Sequence, residues 1–117
     1  MRRVVHSPDE QESKPLTEPV FLILVSLADE PRHGYALVRD IHRMSNERVT
    51  LSTGTLYGAI RRLLEDGLIE RFKQEDKARD KQAYKLTMAG RKILLLEVAR
   101  MKHLTRVATA RMKESEA

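Results

Sequence analysis

The sequence has no cysteine and no tryptophan, and only 4% of its 117 residues are aromatic. Without cysteine there is no disulfide framework and no thiolate metal site, and a reducing compartment suits the chain. Long apolar runs are also missing: none approaches the roughly 20 residues of a membrane-spanning helix. The start, MRRVVHSPDEQESKP, carries two arginines but no apolar stretch like that of a signal peptide. The expected location is the cytoplasm. No glycine-rich loop precedes a Lys-Ser or Lys-Thr pair, which excludes a phosphate-binding loop of that kind. Asp29, Glu30, Glu65 and Asp66 fall at helix ends, where a solvated role suffices. His6, His33, His42 and His103 are too far apart for a local metal-ligand pattern. Neither an enzyme nor a cofactor or metal is expected.

What the sequence does have is positive charge. There are 22 Lys and Arg against 17 Asp and Glu, giving a net charge of +5, and the pI is about 9.7. That balance favours polyanionic partners, nucleic acid before a membrane surface. With 41% hydrophobic residues, the chain can build one modest core. A domain of this size leaves much surface exposed and gains from a partner subunit.

Residues 1–15 are polar, charged and broken by Pro8 and Pro15, and are expected to form a flexible arm. Thr17 is placed to cap a first helix, with Glu18 and Pro19 in its first turn. The run PVFLILVSLADE is apolar on almost every side, which predicts a central helix or one shared with a partner, stopped by Pro31. A second helix is predicted from Gly34 to Ser45, with Tyr35, Leu37, Val38, Ile41 and Met44 inward. Arg39, Asp40, His42 and Arg43 are read as outward. Val49–Thr50–Leu51 reads as a minimal strand. A third helix follows Ser52, buries Leu56, Ile60, Leu63 and Leu64, and ends at Gly67. From Leu68 the pattern alternates as a strand. It crosses the charged stretch EDKARDKQ and alternates again from Ala83 to Thr87, which predicts a hairpin. Thr87 caps a last helix running to about Lys113. Its seam is Leu94, Val98, Met101, Leu104, Ala108 and Met112, widened by Ile93, Leu95 and Leu96. No later segment can cover the far half of this helix, so a second copy of the chain is expected to do so, through this helix or the first.

Three helices followed by a hairpin define a winged helix-turn-helix. The predicted fold is therefore mainly α with a small β-hairpin, with residues 16–87 as a DNA-binding domain and 88–117 as a dimerisation helix. In such a fold the third helix enters the major groove. Its front end fits that role: Ser52, Thr53 and Thr55 are small hydroxyl-bearing residues, and Gly54 and Gly58 keep bulk off the helix. Arg61 and Arg62 are either phosphate contacts or a solvated face. Ser52 is either a cap or a contact. Tyr57 either offers its hydroxyl to a phosphate or packs against the hairpin. From Arg71 to Lys85 six basic residues, Lys77, Arg79 and Lys81 among them, face three acidic ones, so the wing is cationic.

The segments HGYALVRDI (33–41), LSTGTLYGAIRRLLEDGLIE (51–70) and AYKLTMAGRKIL (83–94) together resemble the PadR family of bacterial transcriptional regulators. The resemblance covers roughly Leu16 to Met112. It implies a repressor that dimerises through its first and last helices, binds an imperfect palindrome, and is released by a small effector or a stress signal. The single helix after the wing resembles the short subfamily. By position, Ser52, Thr53, Thr55, Tyr57 and Arg61 match residues that meet DNA, and Leu56, Leu63 and Leu68 match core residues. Phe21 and Leu24 fall on the first helix, with Leu94, Val98, Met101, Leu104, Ala108 and Met112, at the implied dimer interface. The family often has proline where this chain has Gly58. Some short members hold planar drugs between tryptophans, which this chain lacks; a Met- and Leu-lined site would take an apolar effector. The alternative reading is a winged-helix protein–protein module with only non-specific affinity for DNA.

Overall fold

The computed structural model describes residues 14–73 and 82–116. The order is α1 (Glu18–Ser26), β1 (Arg32–His33), α2 (Gly34–Met44), α3 (Thr53–Glu65), β2 (Ile69–Phe72), β3 (Ala83–Leu86) and α4 (Met88–Glu116). It is mainly helical with one antiparallel sheet of order β1–β3–β2.

Thr17 caps α1, its side chain accepting the Val20 N–H at 3.4 Å. The helix ends at Ser26, earlier than Pro31, because the Leu27 N–H is shared between the Ile23 and Leu24 carbonyls and tightens the last turn. Asp29 and Glu30 then turn back onto Arg32, at 3.2 and 3.1 Å. Ile23 and Leu24 of α1, Leu37 and Ile41 of α2, and Leu56, Ile60 and Leu63 of α3 form the centre of the core. Each such side chain contributes about 1.5–3 kcal/mol of burial free energy.

Two assignments on α2 are reversed. Tyr35 is 66% exposed; it stands two positions from buried Leu37, and two helical steps turn a side chain about 200° around the axis. Asp40 points inward: its Oδ2 accepts the Ser26 hydroxyl at 2.6 Å and lies 3.6 Å from Arg32 Nε. One carboxylate thus ties α1, β1 and α2 together. After α2, Asn46 and Glu47 both take positive φ, 57° and 66°. Residues 49–51 form no strand. Val49 N–H is taken by Ser45 Oγ and Thr50 Oγ1 lies 3.0 Å from His42 Nδ1, so side chains hold this stretch in place of a ladder. The third strand is Arg32–His33, which pairs with Tyr84 and Ala83.

At the other end of α3, Gly67 adopts φ +75°. Leu68 N–H reaches the Leu63 carbonyl and Gly67 N–H the Leu64 carbonyl, a left-handed helix stop that hands the chain directly to β2. Thr87 joins β3 to α4. Its hydroxyl donates to the Gly67 carbonyl at 2.7 Å and accepts the Gly90 N–H at 3.0 Å. Gly90 lies so close to the Leu68 carbonyl oxygen that no side chain fits between them.

α4 has 29 residues, and from Lys102 to Glu116 every one is exposed. Glu97 is buried, at 4% exposure. Its carboxylate accepts the Leu16 N–H at 3.1 Å and both Nε and Nη2 of Arg100, at 3.0 and 2.6 Å. Two residues expected at the dimer interface, Leu24 and Leu94, also lie inside the protomer's own core. Leu24 is fully buried inside the protomer, so it has no surface to offer a partner.

Candidate nucleic-acid interface

Ser52 begins the interface. Its hydroxyl oxygen accepts the Thr55 N–H at 3.1 Å and donates to Thr55 Oγ1 at 3.0 Å, so it is an N-cap in fact. A cap of this kind stabilises a helix by about 1 kcal/mol. It also leaves the first turn of α3 at the surface, with Ser52, Thr53, Gly54 and Thr55 all exposed. Leu56, Ile60 and Leu63 hold the opposite side of the helix in the core. Nothing lies within 4 Å of where a Cβ would sit on Gly54 or Gly58. The glycines are therefore not demanded by packing inside the protomer; they leave bare backbone on the outer face. Arg61 and Arg62 follow on the same exposed side.

Tyr57 packs toward the hairpin, one of the two roles expected of it. It is 42% exposed, yet its phenol oxygen lies directly over Gly34 at the start of α2. It also neighbours Tyr84 of the hairpin. Burial first, then the Tyr57 phenol, push the Tyr84 hydroxyl up from its ordinary value, while Arg71 opposes them. Tyr57 thus fastens α3 to α2 and to the sheet. His33, just before Gly34, gives α2 no side-chain cap, and its Nδ1 is buried without a hydrogen-bond partner among the described residues.

The sheet presents a cationic edge. Arg71 and Lys73 of the β2 strand end are exposed. Lys85 lies 3.4 Å from Glu70 and 5.3 Å from the Phe72 ring centroid. Lys77, Arg79 and Lys81, expected on the wing, lie outside the described residues. Lys14, Pro15, Leu16 and Val20 form a groove with Thr55, Gly58, Ala59 and Arg62, about 780 Å³ in volume. Tyr35 and Arg39, four positions apart, share one exposed face of α2, with the Arg39 guanidinium 5.6 Å from the Tyr35 ring centroid.

A three-helix unit followed by a β-hairpin, its third helix capped and projecting a small, polar and basic front, is a winged helix. Residues 23–95 match the family described as the transcriptional regulator PadR-like family, and the chain belongs to that family, one of regulators rather than enzymes. The chain is 38% identical over 84 residues to a 37.1 kDa transposon protein of Streptomyces fradiae, a match covering 72% of this chain; the chain spans about a quarter (23%) of that relative's length. Among solved structures, a transcriptional regulator of Clostridium thermocellum is similar at a TM-score of 0.66 and 24% identity, over 78% of this chain and 89% of that one. A PadR family regulator of Clostridium difficile is similar at a TM-score of 0.66 and 23% identity, over 82% of this chain and 99% of that one. At that identity the likeness speaks for the fold. No helix among the described residues is long and apolar enough to cross a membrane.

Proposed function

We propose that the protein is a homodimeric, sequence-specific DNA-binding repressor, in which α3 reads a major groove. The observation that carries this reading is the outer face of α3. Its first two turns offer hydroxyls and open glycine backbone, and Arg61 and Arg62 stand beside them. Small residues let a helix approach base edges closely, and arginines beyond them reach flanking phosphates. The wing residues Lys77, Arg79 and Lys81 would extend the contact along the backbone.

Dimerisation is supported by the bare half of α4. Leu104, Val107 and Met112 are exposed there, and Phe21, Val98, Met101 and Thr105 line a shallow cavity of about 420 Å³ at its root. The proposed interface is Phe21, Val98, Met101, Leu104, Ala108 and Met112. An apolar effector entering that cavity would change the angle between the two long helices and thereby the spacing of the two reading helices. Two half-sites about one helical turn apart tolerate little such change.

The test is a titration of the purified protein against DNA from upstream of its own gene, with unrelated DNA of equal length, at two salt concentrations. Tighter and more salt-resistant binding to the upstream DNA is expected. Equal, salt-sensitive binding to both would overturn specific recognition there and favour the protein–protein module.

A further inference from the structure

We propose that α2 carries a second DNA contact, in which Tyr35 and Arg39 together grip the phosphate backbone beside α3; the inference rests on the DNA-binding reading above. Three observations lead to it. Tyr35 is 66% exposed in the first turn of α2, an unfavourable place for a large aromatic that no apolar side chain among the described residues covers. The Arg39 guanidinium lies 5.6 Å from the Tyr35 ring centroid. And the start of α2 is joined to the reading helix, because the Tyr57 phenol sits on Gly34, the residue immediately before Tyr35.

The way Arg39 is held is what separates it from the scaffold arginines. Arg32 is engaged by Asp29, Glu30 and Asp40, Arg43 by Asp40, and Arg100 by Glu97. In each a carboxylate neutralises the guanidinium. Among the described residues no carboxylate lies within ion-pair distance of Arg39. An aromatic face positions a guanidinium without cancelling its charge and leaves its N–H donors free at the edge. Among the described residues, such an arginine keeps its charge and its N–H donors available, which suits bidentate binding of a phosphate. Tyr35 adds a hydroxyl donor to the same patch. The partner of matching chemistry is a line of phosphates running past α3, since Tyr57 fixes the patch to that helix.

The experiment compares Arg39→Ala, Tyr35→Ala and Arg61→Ala with the full-length wild-type protein on upstream and unrelated DNA across a salt series. Arg39→Ala should weaken binding to both DNAs about tenfold and reduce the salt slope by about one, as loss of one phosphate contact does. Tyr35→Ala should weaken binding less, because it removes one hydroxyl and the platform but leaves the charge. Both side chains are exposed, so thermal unfolding should not move, and a variant that melts early is replaced by Arg39→Gln. If Arg61→Ala loses affinity while Arg39→Ala keeps both affinity and slope, α2 lies off the DNA and this inference fails with the wider reading intact. Loss on the upstream DNA alone would mean a base contact and overturn the phosphate assignment. A wild-type protein that binds neither DNA overturns both.

Discussion

An Oε2 oxygen of Glu97 accepts the backbone N–H of Leu16 across 81 positions of sequence. The contact joins the long C-terminal helix to the segment that leads into α1, and Arg100 completes it from the exposed side. The Arg100 hydrogen bonds, helped by the Leu16 N–H and against the cost of burial, hold the Glu97 carboxyl below the usual carboxylate value. Between that lowered value and the ordinary one, the unfolded chain binds more protons than the folded one. The contribution is therefore complete above the ordinary carboxylate range and is lost as pH falls through the folded value. Glu97→Ala should lower stability by about 1–3 kcal/mol at neutral pH. Glu97→Gln should flatten the acid side of the stability profile. Denaturant unfolding at pH values stepped down from neutral measures both, and an unchanged acid limb would remove Glu97 as its source.

Gly90 and the Leu68 carbonyl leave no room for a methyl group. The obstacle is backbone at the turn into the hairpin, which cannot rotate away as a side chain can. Gly90→Ala is expected to destabilise the protein by about 1–3 kcal/mol despite the better helix propensity of alanine. A thermal melt at or above the wild-type midpoint would show that the turn yields.

Capping and DNA contact can be separated at Ser52. Aspartate is as good a cap as serine, so Ser52→Asp should leave the melting temperature within about 1 °C of wild type. It would nonetheless place a negative charge at the front of α3, and DNA binding should fall more than tenfold at low salt. Preserved binding would leave Ser52 as a cap alone.

Leu104 is 49% exposed, so a glutamate there does not disturb the protomer's core. In the proposed dimer it would lie unpaired in an apolar seam. Leu104→Glu should shift the protein toward monomers in sedimentation velocity while its helix content holds. A persistent dimer would place the contact elsewhere.

The parts of the fold legible in the sequence were those set by local chemistry. Ser52 capped the helix it preceded, Gly67 stopped it, and Thr87 opened the last helix, since each of these acts within a few residues. β1 was missed because two residues carry no alternation; Arg32 and His33 become a strand only when β3 arrives beside them. The same reasoning covers the charged residues. Asp40 and Glu97 stand at helical spacing beside Leu37 and Leu94, but being charged they do not read as core, and only Ser26, Arg32, Leu16 and Arg100, brought in by the fold, make their burial tolerable. The exposed, polar front of α3 was legible, whereas Tyr35 was taken for core because apolar spacing alone does not say which side of a short helix its first turn faces.

Thr87 is the single residue between β3 and α4, and it is hydrogen-bonded on both sides. No slack separates the winged unit from the long helix, so the two behave as one lever. With 29 residues, that lever is about 43 Å long, and a rotation of about 5° at its far end swings the other by about 4 Å, close to the rise of one base pair. In the proposed dimer, the angle at which two α4 helices cross would therefore act as a ruler for DNA, and substitutions far from any base would change which half-site spacing the protein prefers.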